Sequence, residues 1–302
     1  QCWNLASFLV CWAAIGFASG LALSTPASIA LVQVAGPRAR QAISLLTIIA
    51  GLSSTIFWPL TGVLDAALGW RATLLAFAAM HVLICLPVHF LLLPHRPPVH
   101  PTNIATAAST SGVSPNDHSR VYLLLSVSLT FGAFVFTGAQ LQMIELLRGL
   151  GHPPASALLI ASLIGPAQVG TRIFELFFGH RYTIMRSAVL GSAMLPVGLG
   201  LALLAGNVFA VAVLAVLAYG LSNGLKAVQR STLPLALFGR AQFGLYAGRL
   251  ALPQGIVSAA APPIMAATIG QFGTIAALLL CLAFSLISLG AMILLARRAP
   301  TT

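Results

Sequence analysis

"GPRARQAISLLTIIAGLSSTIFWP", Gly36 to Pro59, and "GRAQFGLYAGRLALPQGIVSAAAP", Gly239 to Pro262, decide how this chain is read. Each opens on a glycine, carries an arginine within two residues, and reaches a proline 23 residues on, at an offset of 203. A period that long is the mark of a duplicated multi-helix half rather than of a small solenoid unit.

Composition says what medium such halves occupy. The chain has 302 residues, 59% of them apolar and only 6% charged, with a mean hydropathy of +0.98. Soluble domains carry about 25% charged residues, so this surface cannot be covered with solvated groups. The chain is expected to be an all-α, polytopic transmembrane bundle with the lipid bilayer as its solvent. The net charge of +11 comes from 15 basic residues spread along the chain, without the clustered stripe of a nucleic-acid footprint, so nucleic acid is excluded as a partner. Cys2, Cys11, Cys85 and Cys281 all lie in apolar runs and read as small buried hydrophobes.

Nine apolar runs are long enough to cross a bilayer: about 5–34, 41–68, 71–93, 121–147, 154–178, 183–205, 208–230, 241–269 and 273–296. One long polar stretch, 94–120, is rich in Pro, Ser, Thr and His and reads as a linker. The domains expected are 1–93, the remainder of an N-terminal bundle with three spans; 94–120, a cytoplasmic linker; and 121–302, a six-span C-terminal bundle. By the repeat, spans one to three correspond to spans seven to nine, and spans four to six have no counterpart upstream. The reading therefore expects three further spans, about 90 residues, and twelve in all.

Arginine placement sets the orientation. Alternate loops put Arg38, Arg40, Arg96, Arg120, Arg181, Arg186, Arg240, Arg297 and Arg298 on one side and only Arg71 and Arg148 on the other. The first side is expected to be cytoplasmic, with the C-terminus inside. Arg172, Lys226, Arg230 and Arg249 fall within spans.

Two parallel halves joined by a polar linker resemble the major facilitator superfamily. "AGLSSTIFWPLTGVLDAALGWR", Ala50 to Arg71, is similar to the fifth span of a bacterial branch, ending in its Gly-Trp-Arg turn. "GPAQVGTRIFE", Gly165 to Glu175, resembles the eighth span, and "RSTLPLALFG", Arg230 to Gly239, the tenth with its following loop, where Ser231 replaces the expected glycine. The resemblance covers essentially the whole chain as spans four to twelve. It implies a monomeric secondary transporter of a small solute in the bacterial inner membrane, with no cofactor. Gly51, Pro59 and Gly62 keep part of an antiporter-type motif, with Trp58 in place of a glycine, which favours proton-coupled export. In "FGHRYTIMR", Phe178 to Arg186, the turn glycine and cations of the superfamily's best-known loop motif are present without its acid. The alternative is a carrier for an organic or inorganic anion. An enzyme is not expected, because four scattered acids supply no catalytic cluster and no nucleotide-binding loop occurs.

Polar groups at bilayer depth are expensive and are the candidates for function. Gln168, Arg172 and Glu175 share one helix face; Tyr219, Asn223, Lys226 and Arg230 form a second stripe; Gln242, Tyr246, Arg249 and Pro253 form a third. Substrate contact is expected from Thr55, Gln140, Gln168, Tyr219, Asn223, Gln254 and Arg249. Gating or ion pairing is expected from Arg172, Glu175, Lys226 and Arg230, with Arg172 and Glu175 as one pair. Asp65 is expected at the outer interface, pairing with Arg71 or water, and Glu145 with Arg148 as a surface pair. His81, Cys85 and His89 have a soft-metal look, but the outer two lie about 12 Å apart along a helix, so no metal is expected.

The charge asymmetry makes a direct prediction. A cysteine placed at Gly206 or Gly270 will react with a membrane-impermeant maleimide in intact cells, whereas one at Ser111 will react only after permeabilisation. The opposite pattern inverts the topology.

Overall fold

A computed structural model describes residues 4–22, 24–35, 39–92 and 118–298. These are helical almost throughout, and no strand occurs among them. The elements are α1 (Leu5–Ala22), α2 (Ser24–Ala35), α3 (Ala39–Met80), a π-helical turn (His81–Cys85), α4 (Leu86–Leu92), α5 (His118–Gly149), α6 (Pro154–Ser162), α7 (Ile164–Phe178), α8 (Ile184–Ala205) and α9 (Phe209–Arg298).

The breaks inside the long elements matter more than their labels. Gly69 in α3 (φ 77°, ψ 161°) and Gly239 (φ 71°, ψ 173°) and Gly273 (φ 83°, ψ 173°) in α9 take nearly one backbone conformation, which only glycine adopts without strain. They cut α9 into 209–238, 240–272 and 274–298, and they cut α3 after 68. Seven helices among the described residues are long and apolar enough to span a membrane, against nine expected. One of the two is hidden by the Gly273 break; of the other, expected at 41–68, the apolar stretch Gln41–Ala50 is shorter than a crossing. Gln242–Arg298, at 57 residues, runs through the Gly273 turn, and Leu60–Leu91 runs through the Gly69 turn. A crossing takes about 20 residues, so Gln242–Arg298 holds two.

The described residues form two compact units, one within Gln1–Leu23 and Ile49–Thr106, the other within Ser24–Ile48 and Ala107–Thr302. The first keeps large apolar side chains exposed, including Leu5, Phe17, Leu75 and Leu91, as lipid contact requires. Its α1 begins at an Asn4 cap: Ser7 N–H donates to Asn4 Oδ1 at 2.8 Å, and Asn4 N–H donates to Ser7 Oγ at 3.2 Å. At the Gly69 turn Arg71 lies over the Trp70 ring, 4.2 Å from its centroid. Asp65 is exposed, and no ion pair joins it to Arg71, because the indole face has taken the guanidinium. His81 and His89 each bond a carbonyl of their own helix (Phe77 at 2.9 Å, Cys85 at 2.7 Å), and no metal-binding group forms among the described residues.

In the second unit, 209–238 is the hub. Its Gly220 and Gly224 let α7 approach to backbone distance: a Cβ at Gly224 would stand 2.6 Å from the Gln168 carbonyl oxygen, and one at Gly220 2.7 Å from Ala167 Cβ. Without a hydrophobic driving force between helices in lipid, such close approach supplies the packing attraction. On other faces Ser222 Oγ donates to the Gly191 carbonyl of α8, and Gln229 Nε2 donates to the Ser187 carbonyl at 2.9 Å. At the end of the bundle bearing the Gly149–Pro154 turn, His152 is buried and its Nε2 lies 2.6 Å from the Gly206 carbonyl, tying two turns together. At the opposite end Tyr246 stacks on Phe238 with centroids 3.8 Å apart, flanked by Tyr122 and His118.

Gly224→Ala will lower the stability of the detergent-solubilised protein by about 1–3 kcal/mol, as overpacking against a backbone does. Gly255→Ala, with open space around its Cβ position, will be neutral or mildly stabilising. Thermal unfolding of the two variants side by side checks the contrast.

Candidate functional site

The face of 209–238 that carries Tyr219, Asn223 and Lys226 turns toward α5, because spacings of four and three keep residues on one side of a helix. Tyr219 is buried; its hydroxyl donates to the Phe136 carbonyl at 2.7 Å and its ring meets Phe136 edge-on. One turn on, Asn223 Nδ2 donates to Gln140 Oε1 at 3.4 Å, a long bond on a side where Gln140 is exposed. The next turn brings Lys226, 6% exposed, whose Nζ donates to Ser288 Oγ at 2.8 Å. Ser288 Oγ in turn donates to the Ser128 carbonyl at 2.7 Å. Gly132 leaves the room the amine occupies: a Cβ there would be 3.0 Å from Nζ. Arg230, a turn further, is exposed.

The remaining candidates sit apart from this row. Gln254 is buried and donates to the Leu250 carbonyl of its own helix at 2.8 Å. Arg249 is exposed, and its carbonyl accepts from Tyr122 Oη at 3.4 Å. Gln168 is half-buried, where α7 meets Gly224. The Thr55 side chain lies outside the described residues. Among the described residues no ion pair within 4.0 Å joins Arg172 to Glu175. Arg172 Nη1 donates instead to the Thr47 carbonyl at 3.1 Å, because a fixed main-chain acceptor on α3 lies within reach of the guanidinium. Glu175 lines a cavity of about 410 Å³ with Thr171, Phe174, Tyr182, Arg186 and Leu225. Glu145 and Arg148 do pair, at 3.2 Å, on a surface more than half exposed, where such a bond is worth about 0–1 kcal/mol.

Two contacts escaped the sequence reading. Ser28 Oγ and Ser231 Oγ lie 3.2 Å apart, and the two positions are 203 residues apart, the offset of the repeat. Around them Val32, Ala39, Ile43 and Phe243 form a small buried cluster, with Leu235 packed against it. Stretches at the expected repeat offset therefore meet, beside the Gly239 turn. The offset was visible in the sequence and would have matched the two serines. The Ser128–Ser288 junction had no such signal.

Residues 2–225 match the family model of the Major Facilitator Superfamily. The match takes in about three quarters of the chain and runs through spans of both halves, so the chain belongs to that superfamily. It is thus a multi-pass membrane protein of a family of secondary transporters of small solutes, not of enzymes. No curated protein matches it.

The row of hydrogen bonds yields a further expectation. Tyr219→Phe removes a buried donor but keeps the ring, and will cost about 1 kcal/mol of stability in thermal unfolding.

Proposed function

We propose that the protein is a proton-coupled exporter of a small solute, working by alternating access in a bacterial inner membrane with Arg38, Arg40, the linker and the C-terminus on the cytoplasmic side. The observation that carries this reading is the meeting of Ser28 with Ser231. By the arginine asymmetry these residues lie about 10 Å inside the cytoplasmic ends of their helices. Contact there closes the inner side of a path between the halves. The closure is made of one neutral hydroxyl pair, an apolar cluster and the bond from Arg172 to the Thr47 carbonyl. The neutral hydroxyl pair is worth about 1 kcal/mol net and the charged Arg172 bond about 1.5–3 kcal/mol, strengths that a reversible gate can break.

Gly51, Pro59 and Gly62 support export. The amides of exposed Gln140 and half-buried Asn223 offer a solute both donors and acceptors at mid-depth. A second reading, carriage of an organic or inorganic anion, is favoured by exposed Arg230 and Arg249 on the inner half with no ion pair among the described residues.

Cysteines at positions 28 and 231, in a background with the four native cysteines replaced, will cross-link under mild oxidation. The cross-link will stop flux in inside-out vesicles assayed with a solute panel, and reductant will restore it. Cross-linking without loss of flux rules out a gate at this contact. In the same assay Arg249→Ala will reduce flux at least tenfold with insertion unchanged, Arg249→Lys will restore part of it, and Arg71→Ala will leave it near the native level.

A further inference from the structure

Fourteen of the fifteen basic residues are arginine; the single lysine, Lys226, is also a basic residue buried in the bundle. Arginine keeps its charge in any protein environment, whereas lysine exchanges its proton when its surroundings change. Among its lysine and arginine side chains, the one able to become neutral thus stands where a fixed charge would be most costly.

We propose that Lys226 is a reversible proton-binding site, whose loading and unloading remodels the junction of three helices. The junction is the chain of donors from Lys226 Nζ to Ser288 Oγ and on to the Ser128 carbonyl, linking 209–238, 274–298 and α5. Ser128 Oγ stands 3.3 Å from Ser288 Oγ, so the hydroxyl of Ser288 has neighbours on both sides. Loaded, the ammonium has three donors and no acceptor. Unloaded, one N–H bond is lost to water as a hydronium proton, and the nitrogen keeps that electron pair. The amine then has two donors and one acceptor, and it can accept a hydrogen bond from the Ser288 hydroxyl, which then no longer donates to the Ser128 carbonyl. A one-proton change thereby reverses the direction of a bond between two helices.

Among the described residues no carboxylate lies within 4.0 Å to hold the ammonium permanently charged. On its own helix the ionisable neighbours are Tyr219 and Arg230, two turns and one turn away. On α5 the residues facing it are Ser128 and Gly132; the acid of that helix, Glu145, stands 13 residues beyond Gly132, about 20 Å along the axis. Arg120, His118 and Tyr122 lie toward the other end of α5. On 274–298 the nearest ionisable group is Cys281, two turns from Ser288, with Arg297 and Arg298 at the helix end.

One lysine among these 302 residues keeps the test direct. The chain is labelled biosynthetically with 13Cε-lysine and placed in lipid nanodiscs, where the Lys226 resonance is assigned by its loss in Lys226→Arg. We expect that resonance to move between its ammonium and amine positions in a single one-proton titration as the pH is raised. Ser288→Ala and Gly132→Ala, which alter the junction from either side, will each displace the midpoint. A resonance that holds one position over the whole pH range in which the protein stays folded, or a midpoint indifferent to both variants, overturns the proposal. The role of this proton in transport rests on the reading of proton coupling, and the two fail separately. Flux indifferent to an imposed pH gradient removes the coupling and leaves the titration standing, whereas a static resonance removes Lys226 and leaves coupling to another group.

Discussion

No water at bilayer depth is available to satisfy a stray backbone group, and no hydrophobic drive separates helix from lipid. Contact at backbone distance is what remains to hold helices together. Helix 209–238 is built around that constraint. Gly220 and Gly224 admit α7 on one side, Ser222 and Gln229 bond α8 on another, and Tyr219, Asn223 and Lys226 face α5 on a third. A side chain larger than hydrogen at either glycine would separate α7 from the hub. The polar row is placed by this packing: Lys226 can lie in the interior because Gly132 leaves its volume empty and Ser288 gives it an acceptor.

Much of the fold was legible because lipid imposes a long, unambiguous signal. Apolar runs gave the helices, and the Gly-Trp-Arg turn gave the break at Gly69. The 203-residue repeat pointed to the break at Gly239, whose backbone angles nearly match those of Gly69. The stripe Tyr219–Asn223–Lys226 was legible from helical spacing alone, since three polar residues on one face of an apolar span must turn away from lipid.

Partners were not legible, for a reason of range. Spacing along one helix places side chains on a face but does not say which neighbour that face meets. Arg172 and Glu175 share a face, yet the guanidinium bonds the Thr47 carbonyl, 125 residues away. Arg71 likewise lies on its neighbour Trp70, an aromatic face competing with a carboxylate six residues earlier. Ser128 and Ser288 are ordinary members of apolar helices, and only the assembled bundle gives them to Lys226. Gln254, polar and at mid-depth, bonds its own helix.

The pair Ser28 and Ser231 sets a rule for what a duplicated transporter can place on its internal axis. A position that meets its own counterpart began, at duplication, facing an identical copy. A lysine or a glutamate would have confronted like charge with like charge in low dielectric, and an amine-only donor would have met a second donor. A hydroxyl escapes both problems, because one can give its hydrogen while the other offers a lone pair. Glycine, expected by resemblance at 231, escapes them by having nothing to offer. Residues able to bond their own kind are therefore the ones that duplication leaves viable at such a point, and sequence drift away from serine at one copy must be answered at the other.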